Sequence, residues 1–310
     1  MNIWGTIVTL SISLILSGCS RNDAIAQSLE PVASTQQTVI PDPCPKDAKT
    51  LISWNTMNYG SKKSNETIAL MARILTSRGI EYRDREKIKA DIILLQEVNA
   101  GPKTGGAQAV ARLAGALGQN WDYIISDPTT GAGVERYATL WDKGSFIVDR
   151  REAHLVGDLA DQVDREPYGV RLQWGSHSFW TYGYHAVPTA KHPIQEVRLV
   201  AGSQELATRD DIILAGDFNL GRITIEGIFE GWQDHIDGKT SLKQKLGKNG
   251  EHRLYQYDHI LTRGQIHVCD SGIIDFVEIH YAPITDENLT IARTMSDHLP
   301  TYIRFTYKIH

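Results

Sequence analysis

The sequence predicts a mixed α and β domain whose strands end at one shared site, and three observations carry that reading. Short apolar runs, Ile212-Ile213-Leu214-Ala215 and Ile92-Ile93-Leu94-Leu95 above all, have the length and composition of strands buried on both faces. Segments with apolar residues at helical spacing stand between them. Run after run ends in an oxygen-bearing side chain or a histidine, which is where a strand breaks and where chemistry can be placed.

The chain has 310 residues, enough for one large domain or two ordinary ones with a substantial core. Its formal net charge of −5 excludes a broadly basic surface. The segment from Ile3 to Ser17 is apolar, too short to span a bilayer, and runs into Leu16-Ser17-Gly18-Cys19. This resembles a bacterial lipoprotein signal peptide over residues 1–18, with Cys19 as the lipid-bearing first residue of the mature chain. Unlike that pattern, no Lys or Arg precedes the apolar run. An ordinary cleaved signal is the alternative, and both imply export. Residues 19–49 are rich in Ser, Gln, Ala, Pro and Asp with no apolar period, so they read as a tether to a catalytic domain over residues 50–310. Beyond Cys19 only Cys44 and Cys269 remain; in an exported chain they either pair or stay as two buried thiols.

The domain opens with Leu51-Ile52-Ser53-Trp54-Asn55, a strand ending in an amide. Ser64 and Glu66 start a helix that buries Ile68, Met71, Ile74 and Leu75, with Gly79 as its stop. The next buried strand, Asp91 to Gln96, ends in Glu97. Val110, Leu113, Ala114 and Leu117 mark a second helix, and Trp121 to Ser126 a strand. Glu135-Arg136-Tyr137 leads into the run Ala138 to Trp141; Arg165-Glu166-Pro167-Tyr168 opens the strand Gly169 to Trp174. Phe179 to Tyr184 delivers His185, and Pro188 turns the chain into a helix around Ile194, Val197 and Val200. The central strand then runs from Asp211 to Asn219. If it stays extended to its tip, Asp217 and Asn219 project to one side and suit a metal-bound phosphate; the alternative is that they only cap a turn. After a less regular stretch holding Lys239-Thr240-Ser241-Leu242-Lys243, a strand begins at Asp258. The last strand, Ser296 to Phe305, carries Asp297 and His298. Neighbours on a strand face opposite ways, so the carboxylate orienting His298 is expected from elsewhere, with Asp258 the natural candidate.

In this order and context, these residues resemble the endonuclease/exonuclease/phosphatase superfamily, and within it the secreted deoxyribonuclease I group. The likeness runs from about Leu51 to Tyr307 and rests on Gln96-Glu97-Val98, Glu135-Arg136-Tyr137, Arg165-Glu166-Pro167, His185 with Pro188, Gly216-Asp217-Phe218-Asn219, Tyr257-Asp258 and Ser296-Asp297-His298. It implies an α+β fold: a four-layer αββα sandwich of two mixed sheets face to face, with helices outside. It also implies roles. Glu97 would bind Mg²⁺ with help from Asn55 and Asp297, Mn²⁺ being an alternative and a structural Ca²⁺ left open. His185 and His298 would serve as acid and base, oriented by Glu135 and Asp258. Asp217 and Asn219 would hold the scissile phosphate and water. Arg165, with Arg136 and Tyr257, would contact the substrate.

Physical chemistry asks for such a set independently. Phosphodiester hydrolysis develops charge on oxygens around phosphorus, which a hard cation and positioned donors must meet. Mg²⁺ accepts one or two protein carboxylates and keeps waters. Histidine titrates near neutrality, so one can take a proton from water and another can return one to the leaving oxygen. Two departures bear on the substrate. Asn99 stands where the resembled group has an arginine that enters the minor groove, and Gly133 where it has an aromatic ring. A local strip with Arg136, Arg165 and Lys243 is expected to meet phosphates instead.

The expected function is an exported, metal-dependent nuclease of low sequence specificity acting on DNA, monomeric, and either held at the cell envelope, in the outer membrane, by a lipid on Cys19 or secreted. A phosphodiesterase or phosphatase of the same fold, acting on lipid or small phosphoesters, is the second reading. A non-catalytic surface lipoprotein is the third, disfavoured because both histidines and every expected acidic partner are present.

Overall fold

The computed structural model describes residues 44–77 and 88–307. The expected signal peptide, Cys19 and the expected tether up to residue 43 lie outside the described residues. Strands β1 (Lys49–Tyr59), β2 (Ile92–Val98), β3 (Trp121–Ile125) and β4 (Arg136–Asp142) join β12 (Ile266–Ile273) and β13 (Thr301–Tyr307) in a six-stranded sheet, in the order β12-β13-β1-β2-β4-β3. The middle of the chain supplies a seven-stranded sheet: β5 (Ile147–Val148), β6 (His154–Leu155), β7 (Tyr168–Trp174), β8 (His177–His185), β9 (Ile212–Asp217), β10 (Gln233–Asp234) and β11 (Asp258–Arg263), in the order β10-β11-β9-β8-β7-β5 with β6 beside β7.

The doubly apolar strands explain the layering. In β2, Ile92 and Leu94 enter the core between the sheets while Ile93 and Leu95 pack under helices. In β9, Ile213 and Ala215 face inward and Ile212 and Leu214 outward. Helices α1 (Asn65–Thr76), α2 (Gly106–Leu117), α6 (Phe276–His280) and α7 (Asp286–Met295) contribute to the outer core of the first sheet. Helices α3 (Ile194–Ala201), α4 (Gln204–Thr208) and α5 (Arg222–Ile228) contribute to that of the second. The result is a four-layer α+β sandwich of two mixed sheets. Its pieces are the expected ones: Ser64 caps α1, its Oγ accepting from the Thr67 N–H at 3.1 Å, and Ile68, Met71, Ile74 and Leu75 are buried. The helix closes on Ser77, a left-handed residue with φ 49°, before the expected stop; Gly79 lies outside the described residues.

Both sheets place a parallel pair where it matters. Strands β1 and β2 run parallel with Asn55 opposite Gln96, and β8 and β9 run parallel with His185 opposite Asp217. Parallel neighbours end at the same edge, so their terminal side chains meet there. Antiparallel β11 adds its first residue to that edge, Asp258 pairing with Asp217. The final run departs from expectation: β13 begins at Thr301, so Asp297 and His298 sit in the segment before the strand rather than within it.

Cys44 and Cys269 form a disulfide with their Cα atoms 5.2 Å apart. It ties the segment before β1 to edge strand β12, so the ordered structure starts ahead of residue 50. No helix among the described residues is long and apolar enough to cross a membrane.

Candidate active site

Asp217 is the hub of the strand-end cluster. It is buried, and its two oxygens do different work. Oδ1 accepts the Asn219 N–H at 2.9 Å, closing a turn on itself. Oδ2 accepts from Asn55 Nδ2 at 3.1 Å and lies 3.4 Å from His298 Nε2 and 3.7 Å from His185 Nε2. The turn-cap reading of this tip therefore holds on Oδ1, while Oδ2 is the oxygen that faces Asn55 and both histidines. The chain does not stay extended to Asn219, which adopts φ 51°. Gly216 makes the geometry possible: its φ is 151°, and a Cβ there would lie 1.8 Å from the Tyr184 carbonyl oxygen.

Each histidine is held from behind by a carboxylate. His185 Nδ1 lies 2.9 and 3.1 Å from the Glu135 oxygens, and His298 Nδ1 lies 2.7 Å from Asp258 Oδ2. Burial opposes charge on both rings, but the surrounding carboxylates outweigh it. His185 is raised by Glu135 and Asp217, and His298 is raised to about 10 by Asp258 and Asp217. The same burial pushes the Asp217 carboxyl up, though both imidazoles pull the other way. Further supports fix the rings: the Tyr137 hydroxyl accepts from the His185 N–H at 3.2 Å, and Ser296 Oγ accepts from the His298 N–H at 2.9 Å.

Glu97 projects from the end of β2 with φ 60°, and the facing bulge of β1 has Met57 at φ 46° and Asn58 at φ 55°. Left-handed non-glycine residues gathered at one spot mark backbone held against its preference, which is common at functional sites. The bulge turns the Asn58 N–H onto Glu97 Oε2 at 2.8 Å. Burial alone would raise the Glu97 carboxyl, but His185, the Asn55 amide, this N–H and His298 together hold it below the usual carboxylate range. It is thus an ionised carboxylate with 22% of its side chain exposed. Asp297 is 32% exposed and lies 3.5 Å from Arg293 Nη2. Glu97 and Asp297 each offer a part-exposed carboxylate oxygen, the donor type that a hard divalent ion keeping its waters accepts.

Asn55 departs from its expected part. Its Oδ1 accepts from the Met57 N–H at 3.1 Å while Nδ2 donates to both Glu97 and Asp217, so it orients the two carboxylates rather than presenting an oxygen ligand. Among the described residues, the three side chains close enough to converge on one ion are His252, Asp275 and Glu278. The Arg253 guanidinium already pairs with Asp275 and lies 4.0 Å from Glu278, so that group is an ion-pair network.

The expected substrate strip is also rearranged. Arg136 Nη1 donates to the Ser126 carbonyl. Arg165 Nε donates to the Gly133 carbonyl at 3.1 Å and lies 3.2 Å from Glu135, and its Nη1 donates to the Ala186 carbonyl at 3.1 Å. Arg136 thus braces the chain just after β3 and Arg165 the loops beside His185 and Glu135, so neither guanidinium stands free as part of an open strip. The guanidinium of Arg165 lies over bare Gly133, where a Cβ would be 2.9 Å from Nη2. Asn99 is tied back to the Asn58 carbonyl at 3.2 Å. Tyr257 receives a hydrogen bond from Thr189 Oγ1 at 3.1 Å, linking the segments after β8 and before β11. Asn219 Nδ2 donates to the Ala186 carbonyl at 3.1 Å.

Two supports went unrecognised in the sequence. Buried Glu196 of α3 accepts the Val187 N–H at 2.9 Å, the Tyr184 hydroxyl at 3.1 Å and the Asp164 N–H at 2.8 Å, fixing the chain just beyond His185. Buried Lys63 donates to the Thr294 and Met295 carbonyls at 3.0 and 2.7 Å, fixing the chain just before Asp297. A Glu on the first turn of a helix that follows a strand-end His was a usable signal for the first; a lone lysine in a loop gave none for the second.

A family model described as the endonuclease/exonuclease/phosphatase family matches residues 52–298. Among solved structures, the chain resembles a Bacteroides thetaiotaomicron endonuclease/exonuclease/phosphatase family protein at 16% identity and TM-score 0.56, covering 84% of this chain and 98% of that one. It resembles D. rerio TDP2 complexed with single strand DNA product at 16% identity and TM-score 0.57, covering 84% and 99%. It also resembles a Bacteroides thetaiotaomicron mannosyl-6-phosphatase at 15% identity and TM-score 0.55, covering 84% and 100%. No curated protein matches the chain.

Proposed function

Because the chain belongs to the endonuclease/exonuclease/phosphatase family, whose hydrolases typically depend on a divalent metal, we propose that it is an exported Mg²⁺-dependent phosphodiesterase, an endonuclease that cuts DNA with low sequence specificity. One observation carries the reading: two histidines, each backed by its own carboxylate, turn their second nitrogens toward the same Asp217 oxygen, at 3.4 and 3.7 Å. Phosphoester hydrolysis needs one proton removed from water and one delivered to the leaving oxygen. Two imidazoles facing one point supply both. Glu135 and Asp258 fix the ring orientations, and Asp217 with Asn219 forms the polar floor on which the phosphate and water are held. Glu97 and Asp297 would hold the ion; when bound, it screens charge on the phosphate oxygens and makes water more acidic. Glu97 also keeps Asn55 in place, and through it Asp217.

Export is supported by Leu16-Ser17-Gly18-Cys19 and by a disulfide of the kind that persists in oxidising compartments. On this reading the mature protein sits at the cell envelope as a monomer, with Cys19 acylated in the outer membrane. Mass spectrometry of the mature terminus tests this: an N-terminus that lacks Cys19 overturns it.

Structural neighbours include a mannosyl-6-phosphatase and a TDP2 bound to a DNA product, so a monoester specificity is the reading to exclude. The mature protein is assayed with plasmid DNA, RNA, sphingomyelin, a sugar phosphate and a chromogenic diester, in Mg²⁺, Mn²⁺ and chelator. Nicking of plasmid DNA in Mg²⁺ and none in chelator is expected. Turnover confined to monoesters or to lipid overturns the nuclease reading.

A further inference from the structure

The segment between β10 and β11 forms an arm that contains no named strand or helix, and its Leu242 and Leu246 pack against the outer core of the first sheet. Residues 239–251 carry Lys239, Lys243, Lys245 and Lys248 against one carboxylate, Glu251, on a chain whose formal net charge is −5. The arm folds back on itself, with the Lys243 N–H donating to the His252 carbonyl at 2.8 Å and the Leu254 N–H to the Ser241 carbonyl at 2.8 Å. Its root is bonded to the active-site backbone. The Leu242 N–H donates to the Asp297 carbonyl at 2.7 Å, the Leu299 N–H to the Thr240 carbonyl at 2.8 Å, and Thr240 Oγ1 receives the Asp258 N–H at 3.1 Å. The returning segment ends in two stacked rings, Tyr255 and Tyr257, with centroids 4.9 Å apart and planes 22° apart. Tyr255 is 49% exposed.

We propose that this arm is a single-strand nucleic-acid track, in which Lys239, Lys245 and Lys248 follow the phosphates and exposed Tyr255, seated on Tyr257, stacks a base beside the active site. The proposal deepens the nuclease reading above and rests on it for its biological sense. Positive charge alone fits any polyanion. An open aromatic face next to that charge fits a polyanion that also carries flat rings, and a duplex keeps its base faces stacked on one another. An unpaired strand or frayed end can therefore use Tyr255, whereas a lipid headgroup or polyphosphate has no ring to offer. The three lysines are exposed, while Lys243 already lies 3.9 Å from Glu251.

The test is direct binding by the mature protein in chelator, where nothing is cut. The probe is a short fluorescein-labelled oligothymidine with phosphorothioate linkages, read by anisotropy across a salt series, with the same sequence as a duplex and polyphosphate as competitors. Tyr255→Ala is expected to weaken strand binding about five- to a hundred-fold and leave polyphosphate competition alone. Replacing Lys239, Lys245 and Lys248 by Gln is expected to cut the logarithmic salt slope by about 2. Unchanged affinity and slope in both variants overturns the track; a duplex bound as tightly as the strand overturns its single-strand character; equal polyphosphate and strand binding, insensitive to Tyr255→Ala, leaves a plain anion patch and overturns the stacking. Strand binding through the arm by a protein that hydrolyses no diester would sink the nuclease reading and keep the track. DNA cleavage with arm variants that bind as wild type would do the reverse.

Discussion

The molecule contains two populations of histidine–carboxylate pair, and they differ at the second ring nitrogen. On the face of β11 that packs against Phe218, His259 Nδ1 lies 2.7 Å from Asp234, both side chains are 0% exposed, and Nε2 lies 2.8 Å from the Leu220 carbonyl oxygen. His154 is likewise used up, with Nε2 2.8 Å from Glu205 and Nδ1 2.6 Å from the Glu152 carbonyl oxygen. At the active-site edge, Glu135 and Asp258 hold one nitrogen of His185 and His298 just as tightly. Their other nitrogens face Asp217 at 3.7 and 3.4 Å, beyond good hydrogen-bond length. A buried carboxylate partner does not make a histidine a catalyst; an uncommitted second nitrogen does, because only that atom can exchange a proton with a substrate.

The largest effect should come from removing the uncommitted nitrogens. His185→Ala and His298→Ala are each expected to lower DNA cleavage by about a hundred- to ten-thousand-fold. The two rings face one oxygen and act in one proton-transfer cycle, so the double variant should be little worse than either single one. Losses that multiply would mean separate roles, and near-normal turnover by either single variant would place that ring with His259. Circular dichroism confirms that each variant folds.

Glu97→Gln removes a ligand charge without changing volume. Activity should fall and the Mg²⁺ concentration for half-maximal rate should rise, while the melting temperature in chelator stays within about 2 °C of wild type. A steep fall in metal-free stability would make Glu97 a structural residue, and the contrast between the two populations would lose its metal side.

The opposite outcome is expected for the committed pair. His259→Asn leaves Asp234 buried with a weaker partner, at a cost of about 1–3 kcal/mol, or several degrees of melting temperature. Cleavage per folded molecule should stay within about twofold of wild type. A selective loss of turnover would show that commitment of both nitrogens does not silence a histidine.

The sequence already held much of this division. Two Asp-His dipeptides occur, Asp258-His259 and Asp297-His298, and they look alike as text. Alternation along a strand separates Asp258 from His259, and this is what β11 does, sending His259 to Asp234 and Asp258 to His298. The same argument applied to Asp297 and His298 reached the right partner for a different reason, since those residues precede β13. The doubly apolar strands were legible because burial on both faces leaves no polar alternation to confuse them. What was not legible is marginal in burial. Edge strand β12 buries little beyond Ile266, and α7 hides only Leu289, Ala292 and Met295 behind a polar face, so neither presents a strong period. Short β5, β6 and β10 of two residues each lie below what any pattern can mark. The roles of Arg136 and Arg165 depend on which carbonyls their loops present, and tertiary structure alone sets that.

The smallest effect separates the populations by pH. Glu205 accepts a hydrogen bond from His154 and raises its affinity for the proton, with burial opposing. In the other direction, burial opposes ionisation of Glu205, but His154 and Tyr182 outweigh it and lower that carboxyl. A histidine whose folded value is raised adds stability that is complete below its unfolded value, about 6.5, and is lost as pH rises through the folded value. A carboxylate whose folded value is lowered adds stability that is complete above its unfolded value, about 4.3, and is lost as pH falls through the folded one. The pair therefore contributes most between about pH 4.5 and 6.5. His154 is 37% exposed, so solvent screens the pair and its worth is about 0.5 kcal/mol, or 1–2 °C. His154→Gln should lower the melting temperature by about that much at pH 5.5 and by less at pH 9, with the gap shrinking in high salt. An equal or larger deficit at pH 9 would show that His154 stabilises through its contact with Trp180, at 5.6 Å between rings, rather than through its charge.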